Sequence, residues 1–159
     1  MDTTLGFQLF GSGKLPDKAR ATLPADEVLA LSEGIRVDER FSGNVPGLHS
    51  GGRTFRFSGA LVIDRKRVFG TLGSWTALDV TWDGDGPAQV AIDEQGLKLH
   101  VDVARVDPAW NGELSLMFHR PFAPEELARF PKRAFSCSIS RERLLQLAGA
   151  RPKRSRSIG

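Results

Sequence analysis

The segment Leu97-Lys-Leu-His-Val-Asp-Val103 narrows the possible folds more than any other. Leu97, Leu99, Val101 and Val103 alternate strictly with Lys98, His100 and Asp102. A period of two places the two sets on opposite sides of a strand, one side for a core and the other for water. Such a strand needs neighbours. Glu113–His119 supplies one, with Leu114, Leu116 and Phe118 on a single side, and the loop between them carries Pro108, Trp110 and the turn-forming Asn111-Gly112 pair. The two strands are expected to pair antiparallel. Further short apolar runs at Thr54–Ile63, Val68–Leu72, Trp75–Trp82 and Ala88–Asp93 are separated by the turn signals "DRKR" and "DGDGP". The chain reads as mostly β, a strongly bent antiparallel sheet or partly open barrel.

Helices are expected at its ends. Pro24–Gly34 opens on proline and acids and closes on glycine, which predicts a short N-terminal helix. Ile35–Phe41 follows as a strand, and the glycine-rich Ser42–Arg53 as a loop. Pro121–Phe130 has its acids in the first turn, and Ser138–Ala148 carries Leu144, Leu145 and Leu147 before Gly149, so one or two C-terminal helices follow. With 159 residues, one domain is expected over 25–150. It is preceded by an extended arm over 1–24 and followed by a disordered basic tail over 151–159.

The net charge of +3 is unevenly spread. Residues 1–128 sum to −5 and residues 129–159 to +8, so the basic character belongs to the end of the chain and suits an anionic partner. No apolar run approaches the roughly 18 residues of a membrane span, and the first residues lack the charge and apolar stretch of a secretory signal. The expectation is a cytoplasmic protein without a transmembrane segment. Cys137 is the single cysteine, which excludes an intrachain disulfide and any site built on several thiolates. It reads as a small core residue.

In "GALVIDRKRVFG", Gly59, Leu61, Asp64, Arg67, Val68 and Phe69 resemble the strand–turn–strand signature of bacterial pleckstrin-homology-like and GRAM-like domains, although those families usually have threonine where Asp64 stands. Asp26–Val37 is similar to their opening element, and the likeness covers roughly residues 25–130. The resemblance implies a partly open barrel capped by a helix, a module that binds proteins or lipids without catalysis. It also implies a basic cluster on an early hairpin in lipid-binding members, a part that Arg53, Arg56, Arg65, Lys66 and Arg67 fill here in an order matching no specific lipid motif. Fold analogy alone does not choose among functions.

The search for chemistry is sparse. "FGSGKL" has Gln8 and Leu15 where a phosphate-binding loop needs glycine and a hydroxyl, and "GTLGSW" lacks a nucleophile elbow. If the two alternating strands pair with residue numbers summing to 219, His100 faces His119 with Asp102 beside them, a candidate divalent-metal set. A shift of two residues, equally compatible with the alternation, separates the histidines. Phe55, Phe57, Phe69, Trp75, Trp82 and Phe118 can fill a core or line the cavity of a small apolar-ligand carrier. Sixteen arginines against six lysines leave weak, sequence-independent nucleic-acid binding as another alternative, though no aromatics are interleaved with the basic tail. No cofactor is implied. The reading is a non-enzymatic binding or adaptor module whose contacts to an anionic lipid or protein are Arg65, Lys66 and Arg67 on the "DRKR" turn and Arg151, Lys153, Arg154 and Arg156 in the tail.

Overall fold

The computed structural model describes residues 14, 15, 17 and 27–149. Eight strands form one antiparallel sheet: β1 (Val28–Val45), β2 (Leu48–Asp64), β3 (Arg67–Leu72), β4 (Trp75–Thr81), β5 (Ala88–Asp93), β6 (Gly96–Asp102), β7 (Asn111–His119) and β8 (Ala134–Cys137). Helix α1 (Pro124–Arg129) precedes β8, and α2 (Arg141–Ala148) follows it. The order β4-β3-β2-β1-β7-β6-β5-β8 curls until the sheet is nearly closed into a barrel. Its two edges, Ala77–Val80 of β4 and Cys137–Ser140 at the end of β8, line opposite sides of a pocket of about 210 Å3. No helix among the described residues is long and apolar enough to cross a membrane.

The alternating segments behave as their pattern requires. Leu97, Leu99 and Val101 of β6 and Leu114, Leu116 and Phe118 of β7 are all at most 1% exposed, while Lys98 and Asp102 face water. Phe118 pairs with Val37 on one side and Leu97 on the other. Its ring reaches across the barrel to within 2.8 Å of where a Cβ on Gly70 of β3 would sit. Side chains therefore fill the interior at this level. Trp82 packs on Phe130 and Phe135, with centroids 6.4 and 5.1 Å away, and Phe122 meets Phe130 edge-on. This aromatic group gathers beside α1, while Leu144, Leu147 and Ala148 bury one face of α2.

"GALVI" in β2 is apolar at successive positions because both faces are covered. Leu61 and Ile63 belong to the main core, whereas Ala60 and Val62 form a second cluster with Phe69 and Leu15 on the opposite face. "DRKR" is a tight turn. The Asp64 carboxylate accepts from the backbone N–H groups of Lys66 and Arg67 at 2.8 and 2.7 Å, and the Asp64 carbonyl accepts from the Trp82 indole at 2.9 Å.

Four expectations need correction. Residues 28–34 are strand, not the end of a helix over Pro24–Gly34: β1 starts at Val28 and pairs with β2. Ser42–Arg53 is no loop, because β1 and β2 continue as a hairpin that turns only at Pro46-Gly47. Ala134–Cys137 forms β8 on β5, an unforeseen strand. Ser138 and Ile139 are not helical; α2 begins only after Ser140, whose hydroxyl caps it by accepting from the Arg143 N–H at 3.0 Å. The arm over 1–24, but for Lys14, Leu15 and Asp17, and the tail over 151–159 lie outside the described residues.

Candidate functional site

β1 and β2 differ from the other strands in length, at 18 and 17 residues. The second half of β2 is held on both edges. Its first half is not, because pairing with β3 is confined to Leu61–Ile63 while pairing with β1 runs from Leu48 to Asp64. The strands separate at Gly59, where any side chain would collide with the Thr71 carbonyl oxygen and crowd Val37. Beyond that point Leu48–Phe57 has β1 alone beside it, while Arg36–Asn44 of β1 stays paired with β7 in the barrel wall.

Cations collect on this hairpin. Arg36 donates to Asp38 at 2.8 Å, His119 Nε2 lies 2.9 Å from the same carboxylate, and Arg56 stands 3.7 Å from it. Arg36 foremost, with His119, holds the Asp38 carboxyl below the usual range, and Asp38 in turn raises the Arg36 guanidinium. Arg40 donates to the Gly52 carbonyl at 2.8 Å, and Arg53 lies 5.2 Å over the Phe55 ring. Neither Arg40 nor Arg53 has a carboxylate partner among the described residues. Phe55 is 45% exposed, unlike nearly all other large apolar side chains described.

The end of α2 completes a pocket. Gly149, its C-cap, approaches Leu48, and together with Ala148, Phe55, Phe57, Arg53 and Arg56 it lines a space of about 340 Å3. That volume lies at the lower end for small-ligand sites. Apolar walls and a cationic rim suit a partner with both carboxylate or phosphate groups and apolar side chains. The pocket at the barrel seam is smaller, and burial pushes the Cys137 thiol on its wall up to about 11, which keeps it protonated and unreactive at neutral pH.

The residues singled out from the sequence are dispersed. β6 and β7 pair with numbers summing to 215, not 219: His100 faces Ser115 and Asp102 faces Glu113. His119 pairs with Arg36 on β1, four ladder positions from His100, or about 13 Å at 3.3 Å per residue. The His100–His119–Asp102 set therefore does not assemble, and no group of three metal-ligating side chains occurs among the described residues. His100 lies 3.5 Å from Glu113. Arg65 and Lys66 are exposed on the "DRKR" turn, Lys66 reaches Glu27 at 4.0 Å, and Arg67 sits 3.4 Å from Asp79 and over Phe69. This turn lies at the opposite end of β2 from Arg53 and Arg56, so the five cations form two groups. Arg151, Lys153, Arg154 and Arg156 lie outside the described residues. The six candidate aromatics do not share one chamber: Phe118 and Trp82 are inside, Trp75 is partly buried against the same core, Phe69 is on the outer face, and Phe55 and Phe57 line the hairpin pocket.

Compared with known proteins, the chain matches no family model, no curated protein and no solved structure.

Proposed function

We propose that the chain is a non-enzymatic binding or adaptor module, of the pleckstrin-homology-like or GRAM-like kind its sequence resembles, and that it holds an anionic partner at the hairpin of β1 and β2. The observation that carries this reading is Phe55, 45% exposed with the Arg53 guanidinium 5.2 Å over its ring, in a pocket that Arg56 also lines. An exposed aromatic ring under a cation loses water readily while the charge draws in the partner. The sequence from Arg151 onward adds further positive charge, which strengthens the long-range attraction for an anionic partner.

The test is co-sedimentation with phosphatidylcholine vesicles with and without phosphatidylserine, alongside retention on heparin, at low and high salt. The full chain, a chain ending at Ala150 and the variant R53A/F55A/R56A are compared. Binding to an anionic probe that weakens steeply with salt, falls in the truncated chain and is lost in the triple variant supports the reading. Absence of binding to either probe, or binding that the triple variant leaves unchanged, overturns it. A duplex DNA oligonucleotide bound more tightly than heparin would favour a nucleic-acid partner instead.

A further inference from the structure

Resting on that reading, we infer that the free edge of β2 between Leu48 and Phe57 is a strand-addition site for an extended, acidic peptide segment of a protein partner. Four observations converge on it.

First, one row of backbone N–H and C=O groups along this stretch has no strand beside it among the described residues, since β3 leaves β2 after Leu61–Ile63. In an extended strand every second residue turns both its N–H and its C=O toward that edge. The bulge at Gly52–Arg53 interrupts this row, and the Gly52 N–H and C=O are taken by the Ser50 hydroxyl and Arg40, so the ladder bonds on offer to an incoming chain lie on either side of it.

Second, the edge is only partly defended. Leu48–Phe57 contains no proline and no lysine, Arg53–Arg56 is exposed throughout, and what protects the edge is the bulge at Gly52–Arg53 and the charge of Arg53 and Arg56. Charge of one sign repels a like edge and admits a chain of the opposite sign.

Third, charge selects the occupant. Two copies of this edge pairing antiparallel about Thr54–Phe55 would set Arg53 opposite Arg56 twice, which disfavours a second copy. Among the described residues Arg56 has an ion pair with Asp38 alone, which is already held by Arg36 and His119, and Arg40 and Arg53 have no ion pair, so carboxylates are the side chains that complement this edge.

Fourth, the two faces of β2 differ. Phe55 and Phe57 share one face, Thr54 and Arg56 the other, and the pocket of about 340 Å3 beside Gly149 lies where Phe55, Phe57 and Arg56 all reach it. A strand alternating apolar and acidic residues satisfies both faces at once, with backbone bonds giving affinity and alternate side chains giving specificity. A flat membrane surface uses neither the backbone row nor the alternation.

The experiment uses the isotope-labelled full chain and a blocked peptide of alternating valine and glutamate. Its comparison is the same peptide N-methylated at alternate residues, which keeps charge and composition but removes ladder donors. The expected result is binding of the first peptide, slowed amide exchange at alternate residues of Leu48–Gly51 or of Thr54–Phe57, and at least about tenfold weaker binding of the methylated peptide. R53E/R56E, both changes on exposed side chains, should weaken the first peptide by about tenfold or more. Equal binding of the two peptides overturns strand addition and leaves a purely electrostatic site, so the proposed function stands without it. Binding to phosphatidylserine vesicles but to neither peptide overturns it in favour of a membrane partner. Failure of both peptides, the vesicles and heparin overturns this inference and the proposed function together.

Discussion

Replacing Arg120 with methionine should detach α1 from β1. The guanidinium donates to both carboxylate oxygens of Glu126 at 2.7 and 2.9 Å, to the Ser32 hydroxyl at 2.8 Å and to the Pro121 carbonyl at 2.8 Å, and it lies 4.6 Å over the Phe122 ring. The two charged side chains are only 19% and 23% exposed, so the pair is neither freely hydrated nor fully desolvated. Hydrogen bonds to charged groups contribute about 1.5–3 kcal/mol, and partial water access reduces this bidentate pair toward the lower figure. With the Ser32 bond added, R120M should cost about 2–3 kcal/mol. For a chain of this size that lowers Tm by roughly 5–10 °C. E126Q keeps the acceptor for the Ala123 N–H and should cost less, about 1 kcal/mol, and a double-mutant cycle should return a coupling of about 1–2 kcal/mol. Arg120, and secondarily the Ala123 N–H, holds the Glu126 carboxyl below its ordinary value. A carboxyl lowered in the folded state contributes stability that is complete above its unfolded value of about 4.3 and is lost as pH falls through the folded one. The difference between wild type and R120M in urea midpoint should therefore be full at neutral pH and shrink below about pH 4. A difference under about 0.5 kcal/mol at neutral pH, or one that does not narrow in acid, would refute the latch.

Gly59→Ala meets the Thr71 carbonyl and lies 2.9 Å from Val37 Cγ2, so it should destabilise by about 2–3 kcal/mol or prevent folding. Gly51→Ala, with open space around its added methyl, should change stability by less than about 1 kcal/mol in the same urea titration. Cys137, 2% exposed and with its thiol raised to about 11, should resist an aromatic disulfide reagent at neutral pH and react only in denaturant. Native reaction at the rate of a free thiol would mean that the barrel seam opens.

Where alternation is strict, the sequence is enough to place a strand and its core face, as at Leu97–Val103 and Leu114–Phe118. Alternation fixes only parity, however. Sums of 215 and 219 satisfy it equally, and the turn through Val103–Arg105 and the following loop chooses between them. Val28-Leu-Ala-Leu31 is continuous and apolar, a pattern that helix and strand share, and the nearby proline and acids favour helix. Pairing with β2 decides otherwise. The glycines of Ser42–Arg53 read as loop because their cause is remote: a side chain on Gly43 would strike Asn111 of β7. β8 is marked only by a short alternation of Phe135, Cys137 and Ile139 with Ser136, Ser138 and Ser140, which the leucines that follow mask with a helical pattern. Arg53 and Arg56 are visible as charges in the sequence. Their pocket is not, because one wall is Gly149, more than ninety positions further along the chain.

The contrast within β2 sets what the hairpin arginines must do for the protein alone. Ser58–Asp64 is buried on both faces, whereas Arg53–Arg56 is exposed and open on one edge. An open edge of that length in water costs little while nothing pairs with it, since solvent satisfies the backbone groups. Its hazard is self-association, and with no proline or lysine present the opposing features are the bulge at Gly52–Arg53 and the charges of Arg53 and Arg56. In the centred antiparallel dimer each faces the other twice, and two like-charge pairs disfavour pairing by about 0.4–2 kcal/mol together, or roughly two- to thirtyfold in association constant. R53S/R56S should accordingly keep its fold and move from monomer toward dimer in sedimentation velocity at low salt, while the wild-type chain makes the same shift only as salt screens the repulsion. Should R53S/R56S sediment as the wild type does at every salt concentration, the arginines do not guard this edge, and their place on it is then accounted for by the partner alone.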